Sequence, residues 1–188
     1  MILGYHLIWT AYGWWLPNDP RGSNSHEIRV ERIAELGDIH YGRKLVQPSR
    51  AELRQFLEVA QEVLKHEPLE FTADDRKFVG TYLGEVIHER GWSCFACAVM
   101  PDHVHLLMRK HHDWAETMLE AFQKNSRDAL IADKRRSVTH PVWGGKGWKV
   151  FVSTAEQLEV VVEYIRKNPI KIGLPEQEWE FVEPYCDR

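Results

Sequence analysis

Between Ser93 and Met108 two short apolar runs are separated only by Met100-Pro101-Asp102. Proline and aspartate form turns, and short runs rich in Val, Phe and Leu on either side of such a turn read as paired strands. A β-hairpin is thereby placed near the middle of the chain, and the remaining segments must cover it. Before it, Phe78, Val79, Tyr82, Leu83, Val86 and Ile87 recur at helical spacing. Thr72 with Asp75 three positions on forms a capping pattern for that helix, and Gly91 stops it. After the hairpin, Asp113 reads as the cap of a helix carrying Met118, Leu119, Phe122, Ala129 and Leu130.

The outer segments complete the pattern. Residues 4–12 are aromatic and β-branched and read as a first strand, and Trp148 to Val152 as a later one. Leu53, Phe56, Leu57, Ala60 and Leu64 mark a helix over 49–66. Ser153 and Glu156 form a capping box for a last helix that Pro169 is expected to end. Residues 23–48 are polar, with one helical turn at most, and Glu178 to Tyr185 reads as a terminal strand or an arm. With the excursion set aside, the order is strand–helix–strand–strand–helix–strand–helix. That order predicts an α+β fold: a ferredoxin-like antiparallel sheet with helices packed on one face. A length of 188 residues fits one domain over 1–188 rather than two.

Composition narrows the setting. Three cysteines, Cys94, Cys97 and Cys186, are too few for a secreted disulfide framework. Cys94 and Cys97 lack the second pair that a zinc site needs, so they read as structural. No apolar stretch approaches the roughly 20 residues of a membrane helix, and the first 16 residues lack a signal peptide's pattern. A cytoplasmic protein without a membrane partner is the expectation. The net charge of -4 argues against polyanion binding, but residues 121–171 carry 10 Lys+Arg against 5 Asp+Glu. A basic segment can bind a polyanion locally, although charge alone fits a solvated helix face as well.

Two groups of residues carry chemistry. His103-Val104-His105 lies on the second hairpin strand, where alternation turns both imidazoles to one face. Two such rings could hold a divalent metal or form a surface hydrogen-bonded pair. Tyr164 falls on the edge of the last helix's apolar stripe of Leu158, Val161, Val162 and Ile165, with Asn168 one turn beyond. Taken alone, these two fit a boundary tyrosine and a helix C-cap before proline.

Together they resemble a family. Val99-Met100-Pro101-Asp102-His103-Val104-His105-Leu106-Leu107, followed by Tyr164-Ile165-Arg166-Lys167-Asn168-Pro169, is similar to the single-tyrosine HUH transposases of simple insertion sequences. The likeness extends to their relatives associated with repetitive extragenic palindromes. Tyr5-His6-Leu7-Ile8-Trp9-Thr10 and Trp148-Lys149-Val150-Phe151 resemble that family's first strand and the strand before its tyrosine helix. The resemblance implies that His103 and His105 ligate Mg²⁺ or Mn²⁺, with Asn168 as third ligand where other members carry glutamine. It implies that Tyr164 is the nucleophile and that residues 22–70 are an inserted, accessory segment. The implied function is a metal-dependent single-stranded DNA endonuclease and strand transferase, acting in transposition or recombination through a 5′-phosphotyrosine intermediate. The implied partner is hairpin-forming single-stranded DNA, with homodimers known among relatives.

The chemistry accounts for these residue types. A free phenol has a pKa near 10, so about one molecule in a thousand is ionised at neutral pH. The nucleophile therefore needs a metal or a base. Imidazole is a softer ligand than carboxylate, which favours acceptance of Mn²⁺. Single-stranded DNA would be followed by Lys124, Arg127, Arg135, Arg136, Lys146 and Lys149, with Trp143 for base stacking or for the core. Arg109-Lys110-His111-His112 continues from the histidine strand and could touch DNA, though it reads more simply as a solvated strand end. Two other functions fit the sequence less completely. One is a catalytically silent sheet-based binder of single-stranded nucleic acid. The other is a zinc hydrolase, which lacks a clear third ligand and gives Tyr164 no role.

Overall fold

A computed structural model describes residues 1–185, so Cys186 lies outside the described residues. The elements are β1 (Gly4–Thr10), α1 (Glu31–Ala34), α2 (Arg50–Val63), α3 (Ala73–Arg90), β2 (Cys94–Val99), β3 (His103–Arg109), α4 (Ala115–Ala132), β4 (Trp148–Val152) and α5 (Ala155–Lys171). The strands form one antiparallel sheet in the order β2-β3-β1-β4. With α3 and α4 as the two crossovers, this is the ferredoxin-like arrangement expected from the element order. β3 and β1 are central, and their register sets Ile8 opposite His105 and His6 opposite Leu107.

Alternation divides the sheet into two cores. Tyr5, Leu7, Trp9, Cys97, Val104, Leu106 and Met108 join Val79, Leu83, Met118 and Phe122 of α3 and α4 on one face. Phe95, Ala96, Ala98 and Leu107 join Leu158 and Ile165 of α5 on the other. The sequence reading set the helices on a single face, and α5 departs from it. The reason is visible in β2, which is buried at all six positions and needs cover on both sides. A register irregularity between Cys94 and Ala96 puts Phe95 and Ala96 both toward α5.

The helix ends show where local signals hold. Ser49 with Glu52 and Thr72 with Asp75 form complete capping boxes. Gly91 closes α3 in the left-handed region at φ 63°, where a side chain would be strained. Asp113 does not cap α4. Trp114 occupies that position without a side-chain bond, and the Asp113 carboxylate accepts from Trp92 Nε1 at 2.9 Å instead. Thr154 rather than Ser153 caps α5, accepting from the Gln157 amide. Pro169 does not end α5, which runs on to Lys171. In the last turn a missing N–H removes one backbone bond, and the buried ring adds apolar contact in return.

After α5 the chain returns as an arm along the outer edge of β2. The Gln177 side chain meets both backbone groups of Val99 at 2.8 Å, and the Glu183 amide donates to the Cys94 carbonyl at 2.8 Å. This occupies a strand edge that would otherwise be open to pairing. Trp179 seats on Gly80 and Phe181 on Gly84, two glycines one turn apart on α3. A Cβ at position 80 would overlap the Trp179 ring. Gly80→Ala should therefore lower stability by about 1–3 kcal/mol by dislodging the arm, despite the better helix propensity of alanine, as read from urea unfolding.

Candidate active site

The site forms on the first half of β3, beside β1, where α5 packs over β2 and β3. His103 and His105 share the α5 face, as alternation required, with ring centroids 4.8 Å apart. The Tyr164 ring stands perpendicular to His105 at 5.5 Å and edge-on to His6 of β1 at 6.2 Å. Tyr164 is 43% exposed and open to solvent, whereas His105 is buried at 4%. The three sequence-derived residues thus gather on one sheet face, with His103 and Tyr164 each against the His105 ring. Asn168 lies one turn beyond Tyr164, and its amide nitrogen is buried without a hydrogen-bond partner among the described residues.

Each histidine has one ring nitrogen engaged. His103 Nδ1 lies 2.6 Å from Asp102 Oδ1, and His105 Nδ1 lies 2.9 Å from His6 Nε2. Burial pushes the Asp102 carboxyl up, but the His103 hydrogen bond and charge, with Arg21 behind, hold it below the usual range. The Asp102 carboxylate accepts the proton on His103 Nδ1, so Nε2 is the ring nitrogen turned away from that contact. Burial first, then the charges of His103, His6 and Lys171, holds His105 well below its ordinary pKa, so it is a neutral imidazole.

His6, Asp102 and Lys171 were not among the sequence-derived site residues. Lys171 Nζ lies 4.6 Å from the Tyr164 ring centroid, seven residues along the same helix. That spacing brings a side chain back to the same face after two turns, so the sequence did contain the signal. His6 carried none, because its contact crosses between strands 99 residues apart.

Burial lowers the His6 pKa to about 4. Since the unfolded chain takes up this proton near pH 6.5, the contribution is fully present above that pH and is lost as pH falls toward 4. Urea unfolding should show stability falling across this window by up to about 3 kcal/mol from this group.

The six basic candidates separate. Lys124, Arg127 and Lys146 line one groove of about 530 Å³ with Gln123, Trp143 and Gly145. Trp143 also packs edge-on against Trp9 at 5.7 Å, so it serves both groove and core. Arg135 and Arg136 instead pair with Asp75 at 3.5 and 2.6 Å, joining the loop after α4 to the start of α3. Lys149 pairs with Glu116 at 2.7 Å and points to the α4 face, away from Tyr164. Asp75 and Glu116, distant in sequence, capture Arg136 and Lys149, which a count of local charge does not reveal, while Arg135 is held most closely by its neighbour Asp133 at 2.7 Å.

A second cluster of ligand-type residues, His111, His112 and Asp113, has its ligand atoms within 4.8 Å of one another. It follows the far end of β3, and a seven-residue strand spans about 20 Å, so it cannot share an ion with Tyr164.

A His-x-His strand facing a helix tyrosine across a ferredoxin-like sheet defines the class of single-tyrosine transposases. Residues 63–168, 106 of 188, match the family model of IS200-like transposases, and the chain belongs to that family. Among solved structures, the chain is similar to a REP-associated tyrosine transposase bound to a REP hairpin. That likeness has 14% identity and a TM-score of 0.47, covering 96% of this chain and 76% of that one. It is also similar to a Deinococcus radiodurans R1 protein assigned as a transposase, with 16% identity and a TM-score of 0.41, covering 89% and 91%. These likenesses are distant, and the family rests on the matched sequence. No curated protein matches the chain. No helix among the described residues is long and apolar enough to cross a membrane.

Proposed function

We propose that this transposase-family protein is a divalent-metal-dependent endonuclease and strand transferase for single-stranded, hairpin-forming DNA. The observation that carries the reading is the gathering of the exposed Tyr164 and of His103 around the His105 ring on one sheet face. Tyr164 Oη attacks a backbone phosphorus, the bond to the 3′ oxygen breaks, and a 5′-phosphotyrosine forms. The phenol gives up one proton and the departing 3′ oxygen takes one up. The reverse attack rejoins strands without outside energy, because the bond to phosphorus is conserved. Lys171 sets a positive charge beside the Tyr164 ring, where an incoming phosphate gains from it.

His103 and His105 would hold the ion, Mg²⁺ or Mn²⁺, and Asn168 is the third ligand. The donor set fits. Each imidazole has one nitrogen anchored and the other without a partner among the described residues, and the buried amide nitrogen of Asn168 lacks one too. An amide can be turned to present its oxygen where its nitrogen stands. When bound, the ion polarises the phosphate and stabilises charge that develops on its oxygens. Residues 22–70 are an accessory segment of a single domain. They start outside the sheet and reach the basic loop through Asn24, which donates to the Gly147 carbonyl at 2.8 Å.

Incubation with labelled single-stranded hairpin oligonucleotides and Mn²⁺ should give a protein–DNA adduct on a denaturing gel, lost with chelator. Absence of the adduct across hairpin and unstructured substrates would overturn the reading. Lys124 and Arg127 share one carboxylate, Asp128 on their own helix at 3.0 Å, and should separate from Lys149, which has Glu116 to itself. Lys124→Gln with Arg127→Gln should weaken single-strand binding and flatten its salt dependence by about 0.7 log units for each phosphate no longer neutralised. Lys149→Gln should leave both nearly unchanged, as measured by fluorescence anisotropy across a salt series.

A further inference from the structure

β1 lies outside the residues that the family model matches, yet it runs through the centre of the sheet beside β3. Its buried polar side chain is His6, 6% exposed, which no motif in the metal or tyrosine segments includes. We infer that His6 is a positioning residue for His105: its Nε2 accepts the His105 Nδ1–H and leaves the His105 Nε2 lone pair bare in the cleft. The inference rests on the reading of His105 as a metal ligand.

A neutral imidazole carries one ring proton, and the nitrogen that bears it cannot ligate a metal. For His105 the choice is set by what lies against Nδ1. The 2.9 Å contact with His6 Nε2 is the only hydrogen bond either ring makes among the described residues. With the proton on Nδ1, the bond is satisfied and Nε2 is available. With the proton on Nε2, His6 must supply its own proton to Nδ1, and the ligating nitrogen is blocked. Asp102 does the same work for His103 from the next position in the chain. The two histidines are thus held by different devices suited to their surroundings. His103 is partly solvated and can have an ionised carboxylate beside it. His105 is buried, and an unpaired carboxylate there would be costly, whereas a neutral imidazole accepts a hydrogen bond without charge.

The alternative role for His6 is packing against the Tyr164 ring, and a ring-preserving substitution separates the two. His6→Phe keeps an aromatic ring and removes the acceptor. His6→Gln loses the ring but extends an amide oxygen to about the place of Nε2. Calorimetric titration of the full chain with MnCl₂ should show affinity about 10- to 100-fold weaker in His6→Phe, the range usual for losing a partner of a ligating histidine. His6→Gln should stay close to the parent. Nitrogen-15 NMR of the metal-free parent should find the His105 proton on Nδ1, and in His6→Phe it should move to Nε2. Mn²⁺ binding unchanged in His6→Phe, or a His105 proton found on Nε2 in the parent, would overturn the inference. If the parent and His105→Ala bind Mn²⁺ equally, the metal reading itself fails, and the NMR result still decides whether His6 sets the tautomer. Should His6→Phe not fold, the parent spectrum and His6→Gln decide alone.

Discussion

Tyr164→Phe should form no covalent adduct with DNA while folding as the parent does. The substitution keeps the ring, its perpendicular contact with His105 and the Lys171 ammonium over its face, and removes only the hydroxyl. Binding of single-stranded hairpin DNA should therefore be close to that of the parent. Losing one group of a catalytic unit typically lowers the rate by several orders of magnitude, and here the bond that would hold the strand cannot form. Denaturing gels with labelled oligonucleotides read both outcomes. An adduct retained in the variant would assign the nucleophile to another tyrosine. Nicking without an adduct would leave a metal nuclease that uses water, with His103 and His105 keeping their place and Tyr164 losing its own.

His105→Ala should remove most divalent-ion affinity and reduce cleavage to background. The side chain is buried, so the variant also opens a small cavity beside His6 and Tyr164 and should be modestly less stable, by about 1–2 kcal/mol. That cost is larger than expected for a surface-facing sheet histidine, which is how alternation alone presents His105. Calorimetry with MnCl₂, paired with thermal unfolding, separates a missing ligand from a missing fold. Unchanged Mn²⁺ affinity in a folded variant would remove the metal from these two histidines.

The sequence made the helices and strands legible to different depths than the site. The capping box at Thr72, the stop at Gly91 and the turn at Pro101 are decided by residues within a few positions, so they could be read directly. Asp113 and Pro169 show the limit of such signals. Trp92, 21 residues away, takes the Asp113 carboxylate, and a proline in a last helical turn costs too little to end it. The pair His103 and His105 was legible because strand alternation fixes their common face, and Tyr164 because helix periodicity fixes its edge. Which basic residues remain available was not legible, since Asp75 and Glu116 draw Arg136 and Lys149 away through pairings made only after folding. The separate placement of α5 was hidden for a related reason. Its stripe shows that it packs, but only the sheet shows on which side.

The arm that follows α5 bears on how often Tyr164, the proposed nucleophile, is seated. α5 is held from beneath by Leu158 and Ile165, and the chain leaving it is fastened to β2 through Gln177 and to α3 through Trp179 and Phe181. Swinging α5 off the sheet strains or strips these fastenings, so arm and helix open as one cooperative unit. The fraction of molecules with Tyr164 seated against His105 is then set partly by residues that never approach DNA. Weakening the Trp179 seat on Gly80 would raise the open population and lower turnover in proportion, with every group in the cleft unchanged.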